Sequence, residues 1–162
     1  MKYRKIPREK LGEGIELCKK NALDYLQDAK LIIEEKRFNH AYVSVQFAIE
    51  ELGKIIMLRE ALKESVEDPI LVKESVFKSH KGKSEKAWSF LDPKYKTIFD
   101  EGDFDDEDFH PRDFHTNTKA SHSTRLDCAF VDFESGWYVG RDIKEELLTK
   151  LVKYVETMVP KA

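Results

Sequence analysis

The chain has 162 residues, 36% of them charged, with 28 Lys and Arg against 31 Asp and Glu and a net charge of −3. That balance exerts no global pull on nucleic acid or anionic lipid, although it leaves room for a local basic patch. Two distant cysteines, Cys18 and Cys128, argue against a disulfide framework or zinc knuckle and suit a reducing cytoplasm, and no apolar run nears the ~20 residues that span a bilayer.

The start, "MKYRKIPREK", is basic but has no apolar core behind it, so it is not a secretory signal. Helical periodicity then dominates. Over 11–35 the residues Ile15, Leu17, Cys18, Ala22, Leu26, Ala29 and Ile33 recur at spacings of three and four, which predicts a helix with Gly12 and Gly14 loosely marking its start. "KRFNHA" follows, with Asn39 as N-cap of a second helix over about 40–63. So short a connection predicts an antiparallel helix hairpin. Asp68 and Pro69 place a proline at a first helical position and predict a third helix to about Ser79. Gly82 interrupts it, Ser84 restarts it through Trp88 and Leu91, and a short helix follows "DPKY".

From 100 to 123 the periodicity vanishes. Seven acidic residues lie between Asp100 and Asp108, and His110, His115 and His122 follow. Such a stretch reads as a long irregular loop. "RLDCAFVDFESGWYV", at 125–139, reads either as extended chain or as a short helix with a turn. "DIKEELLTKLVKYVETM" closes the chain as an amphipathic helix with Asp142 as its cap. The expected fold is all-α: one domain over 1–162, a helical bundle built on the long antiparallel hairpin, with an irregular loop near 100–123.

The second helix carries an unusual pattern. Ala41, Val45, Ala48, Ile49, Leu52, Ile55 and Ile56 form one apolar stripe, and Val43, Phe47, Leu58 and Ala61 form another. A helix apolar on two sides is central, with neighbours on both. Yet Glu50, Glu51 and Lys54 lie in or beside the second stripe. At a surface, such pairs contribute only ~0.2–0.5 kcal/mol. Inside a bundle they are costly unless paired. Two readings stand: an exposed ion pair, or a buried polar cluster lining a site between helices. Gly53 permits close approach of another segment there, at a cost of ~1 kcal/mol relative to Ala.

Other polar groups are candidates to meet this cluster. "SHKGKSEK" holds His80, Lys81 and Lys83. It is either a solvated basic turn or a general acid or base beside phosphate-binding lysines. Arg125, Asp127 and Asp132 are interleaved with apolar and aromatic residues, either on the solvent side of a strand or as inward-pointing pairs. The loop histidines and acids fit no zinc or EF-hand template, and neither long helix has the Glu-x-x-His spacing of a carboxylate-bridged metal site. No metal and no cofactor are expected. The sequence has no Gly-rich phosphate loop, no Gly-x-Ser-x-Gly elbow and no zinc-protease motif.

Taken in order, "AIEELGK", then "SHKGK" some thirty residues on, then an Arg leading to "FVDFESGW", resemble the AbiV family of abortive-infection proteins. In that family an Ala-x-Glu-Glu-x-Gly-Lys helix precedes a His-Lys element, and a later Arg leads to an aromatic-Val-Asp step and a Gly-Trp. The resemblance spans roughly 11–137. It implies an all-helical protein related to the HEPN superfamily, whose members are helical bundles, frequently dimeric, and include many metal-independent ribonucleases of toxin and phage-defence systems. The carry-over reaches Glu50, Glu51, Lys54, His80, Lys81, Arg125 and Asp132. One departure is important. Catalytic HEPN domains share an Arg, four to six residues and a His, whereas this chain offers Arg37-Phe-Asn-His40 and Arg112-Asp-Phe-His115, both too short. Ribonuclease activity would need a different set of residues.

The composition suits a cytoplasmic protein, and the resemblance implies a phage-defence or toxin-like one, a candidate homodimer and a candidate metal-independent ribonuclease acting on cellular or phage RNA. Metal-free cleavage needs a base, an acid and cations for the developing phosphorane charge. The expected roles are His80 as base or acid, and Lys54 and Arg125 as charge stabilisers. Glu50 and Glu51 orient those cations or supply a second acid or base. Lys81 or Lys83 holds a neighbouring phosphate, with Asp132 in support. The alternative is a non-enzymatic helical module, whose Glu, Lys, His and Arg network fixes a surface for a phage or translation-related protein. No membrane partner is expected.

Overall fold

Two long helices organise the molecule. A computed structural model describes residues 2–92, 128–129, 131–133, 137–139 and 143–162. Helix α1 (Arg8–Glu34) buries Leu11, Ile15, Ala22, Leu26, Ala29 and Ile33 along one stripe. It begins earlier than the periodicity suggests, and Gly12 and Gly14 lie inside it. Lys36 closes it at φ 59°, in the left-handed region. There the Lys36 amide donates to the Ile33 carbonyl at 2.9 Å and the Arg37 amide to the Ile32 carbonyl at 3.2 Å. This is the Schellman arrangement, which satisfies the last carbonyls of a helix.

Helix α2 (Phe38–Glu64) returns along α1, as the short connection predicts. Asn39 is not its cap: it sits inside the helix, and Arg37 holds the cap position without a side-chain bond. Ala41, Tyr42, Val45, Ala48, Ile49, Leu52, Ile55 and Leu58 are all buried. Helix α2 is central, packed by α1 on one side and by later elements on the other.

The expected helix from Pro69 does not form. The Asp68–Pro69 peptide is cis, and the next residues make a strand. The N-terminal β1 (Tyr3–Ile6) pairs antiparallel with β2 (Ile70–Lys73), in register from Tyr3↔Lys73 to Ile6↔Ile70. The physical reason is a period of two: Ile70 and Val72 are buried while Leu71 and Lys73 are exposed. Only the short α3 (Ser75–Lys78) is helical before Ser79. Gly82 does not interrupt the chain either. Helix α4 (His80–Leu91) runs through it, because the Ser79 hydroxyl accepts the Gly82 amide at 3.0 Å and caps the first turn.

Of 125–139, a second ribbon is described: β3 (Val131–Phe133) pairs antiparallel with β4 (Trp137–Val139). Helix α5 (Glu145–Met158) buries Leu148, Leu151, Val152 and Val155, and a 3₁₀ turn (Val159–Lys161) follows. Lys144 holds its cap position; Asp142, the 100–123 loop and the helix expected after Tyr95 lie outside the described residues. The architecture is all-α with two small β-ribbons attached. The core joins Tyr42, Ile49, Leu52 and Ile55 of α2 to Trp88 of α4 and to Leu148 and Leu151 of α5. No helix among the described residues is long and apolar enough to cross a membrane.

Candidate functional site

The polar residues of α2 resolve into two units. Gly53 lets α4 approach so closely that a Cβ there would stand 1.8 Å from the Lys83 carbonyl oxygen. Three residues earlier on each helix, Glu50 and His80 meet. The His80 Nδ1 lies 2.6 Å from the Glu50 Oε2. The Glu50 side chain is 7% exposed and that of His80 is 50% exposed. Because His80 is the first residue of α4, the Ser79 cap fixes where its ring begins.

The second unit is Glu51 with Lys54. The ammonium donates to both carboxylate oxygens, at 2.7 and 2.8 Å, and both side chains are mostly buried. Lys54 thus pairs three residues back, not four, and Glu50 is turned to α4 instead. Cys18 of α1 completes this unit. Burial pushes its thiol up to about 12; Lys54 pulls the other way, and Glu51, its hydrogen-bond partner, pushes it further up. With Leu17, Asn21 and Asp24 these residues line a shallow groove of about 440 Å³. Sequence reasoning missed Cys18 as a polar partner, because it falls within the apolar spacing of α1 and reads as core.

The lysines expected to hold phosphate part company. Lys81 is exposed and lies 3.8 Å from Glu85. Lys83 is only 5% exposed, and its Nζ donates to the Phe77 carbonyl at 3.4 Å. Asp132 stands on β3 opposite Tyr138, and Arg125 lies outside the described residues. A further buried pair, Gln46 donating to the Tyr42 hydroxyl at 2.7 Å, stiffens the start of α2. Among the described residues no group of three or more His, Cys, Asp or Glu side chains is arranged to hold a metal ion.

The chemistry available is that of an oriented imidazole. A buried carboxylate facing Nδ1 fixes the ring, and while it is ionised it keeps a proton on Nδ1 and makes Nε2 the basic nitrogen. Half of the ring's side-chain surface remains open to solvent. Proton transfer to or from a bound molecule needs this combination of fixed geometry and access.

Neither the curated proteins nor the solved structures give a match to the chain. The AbiV family matches it over residues 10–159, a span that takes in nearly all of α1, all of α2, the Glu50–His80 contact, both residues of the Gly53 crossing and α5. The chain belongs to the AbiV family, abortive-infection proteins of phage defence within the HEPN superfamily.

Proposed function

We propose that this phage-defence protein is a cytoplasmic, metal-independent endoribonuclease whose acid–base unit is Glu50 with His80. The observation that carries the reading is the 2.6 Å contact between a buried carboxylate and a half-exposed imidazole. In such a cleavage the RNA 2′-hydroxyl loses its proton to a base and its oxygen attacks the adjacent phosphorus. The bond to the 5′-oxygen breaks, and that oxygen takes a proton from an acid. His80 serves as base or acid, with Glu50 orienting it. Lys54, held by Glu51, and Arg125 stabilise the phosphorane charge. Lys81 holds a neighbouring phosphate, with Lys83 and Asp132 as support. Membership of the HEPN superfamily supports a homodimer as the working form.

The test is incubation of the pure protein with total RNA and with tRNA, with and without EDTA, beside His80→Ala and Arg125→Ala. Cleavage that survives EDTA and vanishes in both folded variants supports the reading. EDTA-sensitive cleavage replaces it with a metal-dependent reaction.

One observation favours a second reading. Two of the cations assigned to the site are engaged internally, Lys54 by both oxygens of Glu51 and Lys83 by the Phe77 carbonyl. A network of that kind suits a non-enzymatic module that presents a rigid surface to a phage or translation-related protein. Absence of cleavage under every condition, with a strongly lowered melting temperature in Glu51→Ala, would favour it.

A further inference from the structure

The basic start of the chain has no part in the acid–base unit, yet the fold carries it to the doorstep of His80. Strand β1 pairs with β2, and the Glu74 amide donates to the Lys2 carbonyl at 2.9 Å. Between them opens a groove of about 440 Å³ lined by Lys2, Lys73, Glu74, Ser75, Lys78 and Ser79. The three lysines are exposed. The one carboxylate is already matched, 2.7 Å from Lys78 and 3.7 Å from Arg4. Three lysines thus line the groove with one carboxylate, on a chain whose net charge is −3. The groove ends at Ser79, the cap of α4 and the immediate neighbour of His80.

The ribbon adds an aromatic ring to this charge. Residues directly opposite in an antiparallel pair share a face. The pairs Tyr3↔Lys73 and Lys5↔Leu71 thus form one face, and all four residues are exposed, Tyr3 at 48% and Leu71 at 50%. Ile70 and Val72 take the other face into the core. Single-stranded nucleic acids are held by this mixture, lysines on the phosphates and a ring under a base. Toward α2 this same face borders carboxylates: Tyr3, Leu71 and Lys73 adjoin Glu60 and Glu64, and Glu60 faces Lys86 at 2.6 Å. Those carboxylates direct a strand toward Lys2 and Lys78, and so toward His80.

We infer that the face made by the β1–β2 ribbon and the Lys2–Lys73–Lys78 groove binds the backbone of single-stranded RNA and leads it to His80. The identity of the polymer rests on the ribonuclease reading above; the surface itself rests on the ribbon register and the charges.

The test is binding of a labelled oligouridylate to the full-length His80→Ala protein, followed by fluorescence anisotropy over a salt series. The double variant Lys2→Gln/Lys73→Gln should bind about tenfold more weakly at low salt, and the slope of log affinity against log salt should flatten by ~0.7 for each phosphate no longer neutralised. Tyr3→Leu should weaken binding severalfold and leave the slope unchanged, because stacking is not ionic. The distant exposed Lys153→Gln should change neither. Equal binding by parent and lysine variants overturns the inference, as does binding of polyglutamate without binding of the oligouridylate. The two readings separate cleanly. Lysine-dependent binding without cleavage by the wild-type protein removes the ribonuclease and leaves the RNA face. Cleavage with unaltered binding in the variants removes the face and leaves the ribonuclease.

Discussion

Gly53 of α2 and the Lys83 carbonyl of α4 are in backbone contact: a Cβ on Gly53 would stand 1.8 Å from that oxygen and 2.6 Å from its carbon. No flexible side-chain end is involved that could swing aside. Gly53→Ala would gain ~1 kcal/mol of helix propensity, yet it must push α4 away from α2 along a crossing that seats Trp88 and Ala87 in the core. The expected net effect is a loss of about 2–3 kcal/mol or more, read as a lowered urea midpoint. A variant as stable as the parent would show that α4 is not held at this crossing.

Gly12 and Gly14 present the reverse case. Both lie within α1, and a Cβ at either would meet no atom within 4 Å. Alanine there restricts the unfolded chain and adds helix propensity without a clash. Each substitution should stabilise by about 0.5–1 kcal/mol, additively, and thermal melting of the single and double variants measures it.

The contrast among these glycines shows what the sequence disclosed. The α1–α2 hairpin was legible because Leu11, Ile15, Ala22, Leu26, Ala29 and Ile33 repeat at helical spacing. Its ends were not: the turn puts Lys36 in a left-handed conformation that a glycine usually announces. The helix expected after Pro69 failed for another reason. Ile70–Lys73 is a strand because it pairs with Tyr3–Ile6, more than sixty residues away, and no local signal carries that pairing. At the site, Glu50, Glu51, Lys54 and His80 all stood out as residues. Which carboxylate met which cation did not, since Glu50 and Glu51 are both within reach of Lys54 on a helix. Only the approach of α4 at Gly53 assigns Glu50 to His80.

Cys18 gives the molecule a measurable alkaline signature. Its thiol, raised from 9.0 to about 12 chiefly by burial, is protonated at neutral pH. The thiolate is the reactive form, so alkylation by iodoacetamide should be more than tenfold slower in the folded protein than in urea. The folded state keeps this proton at pH values where the unfolded chain has released it. The stabilisation is therefore complete below about pH 9 and is lost as pH rises toward about 12. Tyr42 is also raised by burial and acts in the same sense, but it does so in any variant that retains it. Cys18→Ala should flatten the alkaline fall in melting temperature relative to wild type. Identical slopes would show that the thiol is solvated.

The Glu50–His80 contact makes the last prediction. Glu50→Gln preserves the volume of a side chain that is 7% exposed, removes its charge and turns one acceptor oxygen into an NH2 donor. A buried carboxylate is costly to desolvate, so the variant should melt near the wild-type temperature or above it. What should change is the ring. With an ionised Glu50, His80 holds its proton on Nδ1. With a glutamine, which both donates and accepts, the two tautomers should mix. Nitrogen-15 NMR of the imidazole reads the tautomer population directly, in a sample that need not turn over RNA. If His80 is the acid or base, the same substitution should slow cleavage by about 10²-fold or more, while folding is intact. A ring whose nitrogen shifts are the same in both proteins would mean that Glu50 does not set its tautomer. Unchanged cleavage alongside altered shifts would mean that the oriented imidazole is not the group that moves the proton.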